Sequence, residues 1–256
     1  MSSSLSALLS VTFYEAGDDH LIELVHQRDT GARRHLASLD VEVYGPDGKS
    51  LGGVPIDPRQ EVLDLGALAG ATRAGHPRVM IVFDARYDER IFPYRPHHYG
   101  YLHRRGAPTP SLYYAVNAAL GGVPDRIGAT GINNFETYLF RREGVVGRHS
   151  LLLGNVSRFS AAKAQVFSYY GDRRVTQDVA LEPKAHAEIP LAPEREGRPL
   201  ERVEVKALFR LASYVVGRRA EGGELVLFDH LFTYFKRRPR PRRRSSTLSS
   251  CAIARG

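Results

Sequence analysis

Apolar and polar residues alternate over Leu39-Asp40-Val41-Glu42-Val43-Tyr44, and the alternation stops at Gly45-Pro46-Asp47-Gly48, a run of turn-forming types. Val79-Met80-Ile81-Val82-Phe83 is apolar throughout and rich in β-formers, the pattern of a strand covered on both faces. Leu151-Leu152-Leu153, Val166-Phe167-Ser168-Tyr169-Tyr170, Leu225-Val226-Leu227-Phe228 and its continuation Leu231-Phe232-Thr233-Tyr234-Phe235 read the same way. Gly, Pro, Asp and Asn separate these runs, as hairpin connections require. Helical spacing occurs only over residues 111–120 (SLYYAVNAAL), where Tyr113-Tyr114 suits a strand equally well. The pattern predicts an all-β protein.

The same order of runs occurs twice. Asp19-His20-Leu21-Ile22 answers Arg148-His149-Ser150-Leu151, and Val41-Glu42-Val43-Tyr44-Gly45 answers Val166-Phe167-Ser168-Tyr169-Tyr170-Gly171. Ile56-Asp57-Pro58 answers Leu181-Glu182-Pro183, and Arg78-Val79-Met80 answers Arg202-Val203-Glu204. The offsets are 129, 126, 125 and 124 residues, a drift that small loop deletions produce. The expected fold is therefore two tandem immunoglobulin-like β-sandwiches from an internal duplication. Unit 1 spans residues 11–105 and unit 2 spans 131–236, with Gly45 and Gly171 in equivalent turns. Residues 1–10 read as a flexible N-terminus and the Gly/Pro-rich residues 106–130 as the join.

A resemblance adds to this reading. Leu152-Leu153-Gly154-Asn155-Val156-Ser157, the run from Ala164 to Tyr170, Gly171-Asp172-Arg173 and Leu181-Glu182-Pro183 resemble the sensory-rhodopsin transducer-type β-sandwich over residues 149–215. The resemblance implies a small non-enzymatic module that oligomerises and binds a partner or small ligand.

Charge changes the picture at one end only. Residues 236–256 carry eight basic residues and no acid, and without them the 36 basic and 28 acidic residues of the chain become 28 of each. The body is neutral and the excess sits in a disordered Arg/Pro/Ser tail over 237–256. Arg237, Arg238, Arg240, Arg242, Arg243 and Arg244 form a polybasic arm suited to phosphate backbones or anionic membranes. No aromatic interleaves them, so such binding is non-specific. Residues 1–10 lack the basic start of a secretory leader, and no run approaches a membrane span. The expected location is the cytoplasm. Cys251 is the one cysteine, which excludes an internal disulfide and a Cys-rich zinc site.

Catalytic signatures are missing. Gly48-Lys49-Ser50 matches the end of a phosphate-binding loop, but Val43 stands where its first glycine belongs and Pro55 denies it the following helix. Asn133-Asn134-Phe135-Glu136 reads as a polar turn whose amides cap its own backbone. No residue is assigned a catalytic role, and no cofactor or metal is expected. Residues 90–105 hold the densest mixture of aromatic, His and Arg side chains. On a strand, His97, Tyr99, Tyr101 and His103 share one face, opposite His98, Leu102 and Arg104. Asp18, Asp19 and His20 are the group best placed by type to join His98 at a metal. Arg90, Tyr94, Arg95, His97, Tyr99, Tyr101, His103 and Arg104 form the candidate binding surface, because Tyr and Arg bind at low entropic cost. The competing reading is a solvated edge strand.

The sequence thus predicts a non-catalytic binding or assembly protein recognising a protein or carbohydrate partner, with self-association possible. The alternatives are a nucleic-acid or membrane accessory protein acting through the tail and, third, a β-sandwich enzyme.

Overall fold

The computed structural model describes residues 6–24, 36–57, 59–70, 75–87, 98–106, 112–119, 133–138, 146–207 and 211–233. In chain order the first half holds β1 (Ser6–Glu15), β2 (Asp18–Glu23), β3 (Leu36–Tyr44), β4 (Ser50–Pro55), β5 (Val62–Asp64), helix α1 (Leu65–Gly70), β6 (Arg78–Tyr87), β7 (Tyr99–Arg104), β8 (Leu112–Ala115) and β9 (Asn117–Ala119). The second half holds β10 (Asn133–Tyr138), β11 (Arg148–Gly154), β12 (Ala162–Tyr170), β13 (Arg173–Leu181), β14 (His186–Leu191), β15 (Glu194–Arg195), β16 (Arg198–Pro199), β17 (Arg202–Ala207), β18 (Ala212–Arg218), β19 (Leu225–His230) and β20 (Phe232–Thr233). The protein is all-β.

Every strand pair is antiparallel. Sheet 1 runs β5-β2-β7-β8 and sheet 2 runs β4-β3-β6-β1-β9; sheet 3 runs β14-β11-β18-β19 and sheet 4 runs β13-β12-β17-β10-β20. Strands β15 and β16 form a small ribbon. The two halves therefore share one strand order, position for position, in both of their large sheets. Even the crossing between sheets repeats: Val116 N–H donates to the His98 carbonyl at 2.8 Å between β8 and β9, and Leu231 N–H donates to the Ser213 carbonyl at 2.9 Å between β19 and β20.

Sheets 1 and 2 enclose one core, and sheets 3 and 4 enclose another. Sheet 3 also packs on sheet 2, so both middle sheets are covered on two faces. That explains the continuous apolar runs. Ile81 and Phe83 point to sheet 1, where Phe83 meets the His98 ring, while Met80 and Val82 point to sheet 3. Leu151 and Leu153 enter the second core, and Leu152, between them, enters the first. Each such side chain withdraws about 1.5–3 kcal/mol worth of apolar surface from water.

The seam between the halves is closely fitted. Tyr214 Oη donates to the Val11 carbonyl at 2.7 Å, and the Phe13 ring meets Tyr214 edge-on at 5.8 Å. The turn after β3 nests on residues 183–185. A Cβ on Gly48 (φ +82) would lie 2.2 Å from the Pro183 carbonyl oxygen, so glycine is required there for both backbone shape and space.

Several expectations are corrected. Residues 6–10 are not a flexible terminus but half of β1, paired with residues 83–87 of β6. Residues 112–119 of the expected join are β8 and β9, which complete both sheets of the first half. Asn133-Asn134-Phe135-Glu136 is not a turn but the start of β10, held between β17 and β20. The run from Leu225 to Phe235 breaks at Leu231, where the chain changes sheets. Gly45 and Gly171 are one residue out of step. Tyr44 and Tyr169 both project from the outer faces of their sheets, whereas Tyr170 enters the core and Tyr44 does not face sheet 1.

The sandwiches also lack immunoglobulin connectivity, in which the first two strands share a sheet. Here β6 and β9 occupy both edges of β1, and the turn at Gly17 (φ 93) sends β2 into the opposite sheet. Among the described residues no helix is long and apolar enough to cross a membrane.

Candidate functional site

The strand β7 divides the candidate residues as its period of two requires. Tyr99, Tyr101 and His103 lie on the outer face of sheet 1, and His98, Leu102 and Arg104 on the inner side. Arg90, Tyr94, Arg95 and His97 lie outside the described residues, as do Cys251 and the tail residues Arg237, Arg238, Arg240, Arg242, Arg243 and Arg244.

The inner polar groups are engaged in structural networks. His20 is fully buried, with Nε2 2.6 Å from Tyr114 Oη, which in turn lies 2.6 Å from Thr12 Oγ1. His20 Nδ1 has no hydrogen-bond partner. A buried orphan N–H costs more than an orphan acceptor, so the proton belongs on Nε2 and is donated to Tyr114. Burial pushes His20 down to about 3, which keeps the ring neutral, and burial pushes the Tyr114 hydroxyl well up. Asp18 and Asp19, grouped with His20 in the sequence, are bound to arginines: Arg104 Nε stands 2.7 Å from Asp18 Oδ1, and Arg105 Nη2 stands 2.5 Å from Asp19 Oδ1. Arg104, expected on a binding face, is thereby a structural residue.

Arg104 belongs to an ionic cluster across the seam that the sequence reading missed. Glu15 accepts from Arg78 at 2.5 Å, Arg218 at 2.6 Å and Arg104 at 2.7 Å. Arg78 also reaches Glu188 at 2.5 Å, and Ser150 Oγ donates to the same carboxylate. Burial works to raise the Glu15 carboxyl, but Arg218, Arg78 and Arg104 together outweigh it and hold it below the usual range. Asp18 goes the other way, raised to about 6 by burial against the opposing charge of Arg104. The only sequence signal was a polar residue ending an apolar strand at Glu15 and again at Arg78. The strands that bring the partners together, from β1 to β18, are far apart in the chain.

The outer face of sheet 1 is different in kind. Among the described residues the exposed large apolar side chains are Leu21, Val54, Val62, Tyr101, Tyr113 and Phe159, and four of these six share this face. Leu21 pairs directly with Tyr101, and Tyr101 with Tyr113. The Tyr99 and Tyr113 rings stack at 5.1 Å and 10°, and the Tyr101 ring leans on Tyr113 at 4.9 Å. Tyr113 is 56 % exposed and Tyr101 42 %. The sheet fixes the backbone and stacking fixes the rings, so little side-chain entropy remains to be lost on contact. Leu21, Val62 and Tyr113 are not among the sequence candidates; β8, which carries Tyr113, falls within the expected join.

The outer face of sheet 4 is cationic and aromatic. Arg174 and Lys206 stand over the Phe167 ring at 4.9 and 4.7 Å, and Arg202 stands over the Tyr169 ring at 3.7 Å. Tyr169 Oη donates to the buried Glu204 carboxylate at 2.6 Å. Such stacking holds the guanidinium groups extended across the sheet.

No family model matches the sequence, and no curated protein matches it. Among solved structures it is similar to that titled Crystal Structure of Thermotoga maritima 1070, at 14% identity and a TM-score of 0.31, over 40% of this chain and 95% of that one.

Proposed function

We propose that the chain is a non-catalytic binding and assembly protein, made of two copies of one β-sandwich unit, whose contact surface is the tyrosine face of sheet 1. The observation that carries this reading is the gathering of Leu21, Val62, Tyr101 and Tyr113 on one solvent-facing sheet surface. A contiguous apolar patch with exposed tyrosines is costly to leave in water and is characteristic of contact sites. An open sheet face whose rings stack on one another suits another protein's surface better than a sugar, which needs a ring face of its own. The converging polar groups of the inner networks support a structural role, since they neutralise each other within the cores and the seam.

A photo-crosslinking residue at position 113, with a control at the exposed Phe159, tests the reading. Adducts at 113 and none at 159 are expected. Equal labelling at both positions, or none at 113, would remove the face as a contact site. Tyr101→Ala with Tyr113→Ala should weaken the contact by about 2 kcal/mol or more, roughly 30-fold.

A further inference from the structure

The shared strand order allows each half to be read as a guide to the other. In sheet 1, Leu21 pairs with Tyr101 and Tyr101 with Tyr113, while Glu23 pairs with Tyr99. In sheet 3, Ser150 pairs with Val216 and Val216 with Phe228, while Leu152 pairs with Tyr214. The crossing bonds from Val116 to His98 and from Leu231 to Ser213 fix the same register independently. Tyr99 therefore occupies the place of Tyr214, and Tyr113 the place of Phe228. Both pairs are stacked, at 5.1 Å and 10° in sheet 1 and at 4.7 Å and 22° in sheet 3. The corresponding strands are thus β7 with β18 and β8 with β19.

These equivalent faces have different surroundings. The Tyr214–Phe228 face of sheet 3 is covered within the same chain, Tyr214 by Val11 and Phe13 of sheet 2 and Phe228 by His20 and Tyr114 of sheet 1. The equivalent face of sheet 1 leaves Tyr101 and Tyr113 exposed, and among the described residues no sheet packs on it. The strand-for-strand equivalent of sheet 2 is sheet 4. Resting on the tyrosine-face reading above, we infer that the partner is a second copy of this chain, whose sheet 4 covers sheet 1 as sheet 2 covers sheet 3 within the chain.

Charge complements the geometry. Glu23 lies on the tyrosine face between Val62 and Tyr99 and Asp64 lies at its edge, Asp19 being already paired with Arg105. Arg174, Arg202 and Lys206 lie across sheet 4 around the single carboxylate of Glu204. Stacked against each other, the two surfaces place guanidinium and ammonium groups over tyrosine rings and beside carboxylates, the contact sheet 4 already makes with its own Phe167 and Tyr169. A symmetric contact of sheet 1 with itself would instead bring Glu23 and Asp64 toward their own copies. The head-to-tail contact is heterologous, so it continues from chain to chain until it closes into a ring or extends as a filament.

Sedimentation velocity of the full chain over a concentration series tests this with two variants, Tyr113→Asp on sheet 1 and Arg174→Glu with Lys206→Glu on sheet 4. The wild type is expected to associate beyond a dimer as concentration rises. Each variant alone should weaken self-association at least tenfold, while an equimolar mixture should form a one-to-one complex through the one intact pair of faces. Circular dichroism checks folding, and Leu21→Asp replaces Tyr113→Asp if the latter unfolds. A monomeric wild type at all concentrations, with crosslinking at position 113 to a different protein, overturns self-association and leaves the tyrosine face as a contact site. A sheet 4 variant that associates like the wild type overturns the head-to-tail arrangement. A Tyr113→Asp variant that does so overturns both readings.

Discussion

Replacing Glu15 with Gln should show how much the ionic cluster contributes to joining the two halves. Both carboxylate oxygens are used: Oε2 accepts from Arg78 and Arg218, and Oε1 from Arg104. Glutamine keeps one acceptor and places an NH2 donor against one or two guanidinium groups. Three arginines then face only Glu188 and Asp18. Removing one partner of a fully buried pair costs about 3–5 kcal/mol. Glu15 is 25% exposed, and the loss of its charge eases ionisation of Asp18, which Glu15 helps to raise. Both effects reduce the penalty, to about 2–3 kcal/mol. Urea denaturation at pH 7 measures it, and a double-mutant cycle with Arg218→Gln isolates the part that crosses the seam. A coupling of about 1 kcal/mol or more is expected. A total loss below about 1 kcal/mol, with strictly additive variants, would refute the claim that this cluster clamps the halves together.

Gly48→Ala should destabilise by about 3 kcal/mol in the same urea assay, because it combines a left-handed backbone with a backbone clash at Pro183; a loss under about 1 kcal/mol would mean that the turn does not bear on residues 183–185. Tyr101→Ala with Tyr113→Ala should lower the unfolding free energy in the urea assay by less than about 1 kcal/mol, since both rings are largely outside the cores, and a loss of about 3 kcal/mol or more would assign the rings to the core instead. Lowering the pH from 7 to 5 should cost about 2–3 kcal/mol. His20 and His186 are depressed to about 3 and 4 by burial, so the stability they contribute above their unfolded value near 6.5 is lost as pH falls. Asp18, raised to about 6 by burial, returns about 1.4 kcal/mol over the same range, because its contribution is present at low pH and lost as pH rises through 6. Greater stability at pH 5 than at pH 7 would contradict the assignment of both histidines as buried and neutral.

The β class was legible because it resides in short-range patterning. Alternation over 39–44 and the unbroken run at 79–83 each state how many faces of a strand are covered. The sequence did not state what covers the second face of Val79–Phe83 or Leu151–Leu153, and the obvious partner within one sandwich accounts for only one side. Strand equivalences slipped by a residue at Gly45 for a related reason: turns of different length absorb the offset, and only cross-strand pairing fixes it. The tyrosine face was half legible. Period two put Tyr99, Tyr101 and His103 together on β7, but Leu21, Val62 and Tyr113 come from strands that neighbour β7 only through long-range pairing. The Gly/Pro-rich flanks of β8 disguised it as a join. Glu15, Arg78, Arg104 and Arg218 carried no local mark of a cluster, since ionic contacts across a seam have no sequence period.

The central claim is that the tyrosine face of sheet 1 is open in the separate chain and covered in the assembled one. Hydroxyl-radical footprinting of the full chain at low and high concentration reads this directly, using the buried Tyr214 and Phe228 as internal references. Tyr101 and Tyr113 should be modified readily at low concentration and become protected several-fold as concentration rises, while Tyr214 and Phe228 stay protected throughout. Modification of Tyr101 and Tyr113 that is strong and independent of concentration would contradict self-association through this face, and protection of both rings even at the lowest concentration would contradict the open face itself.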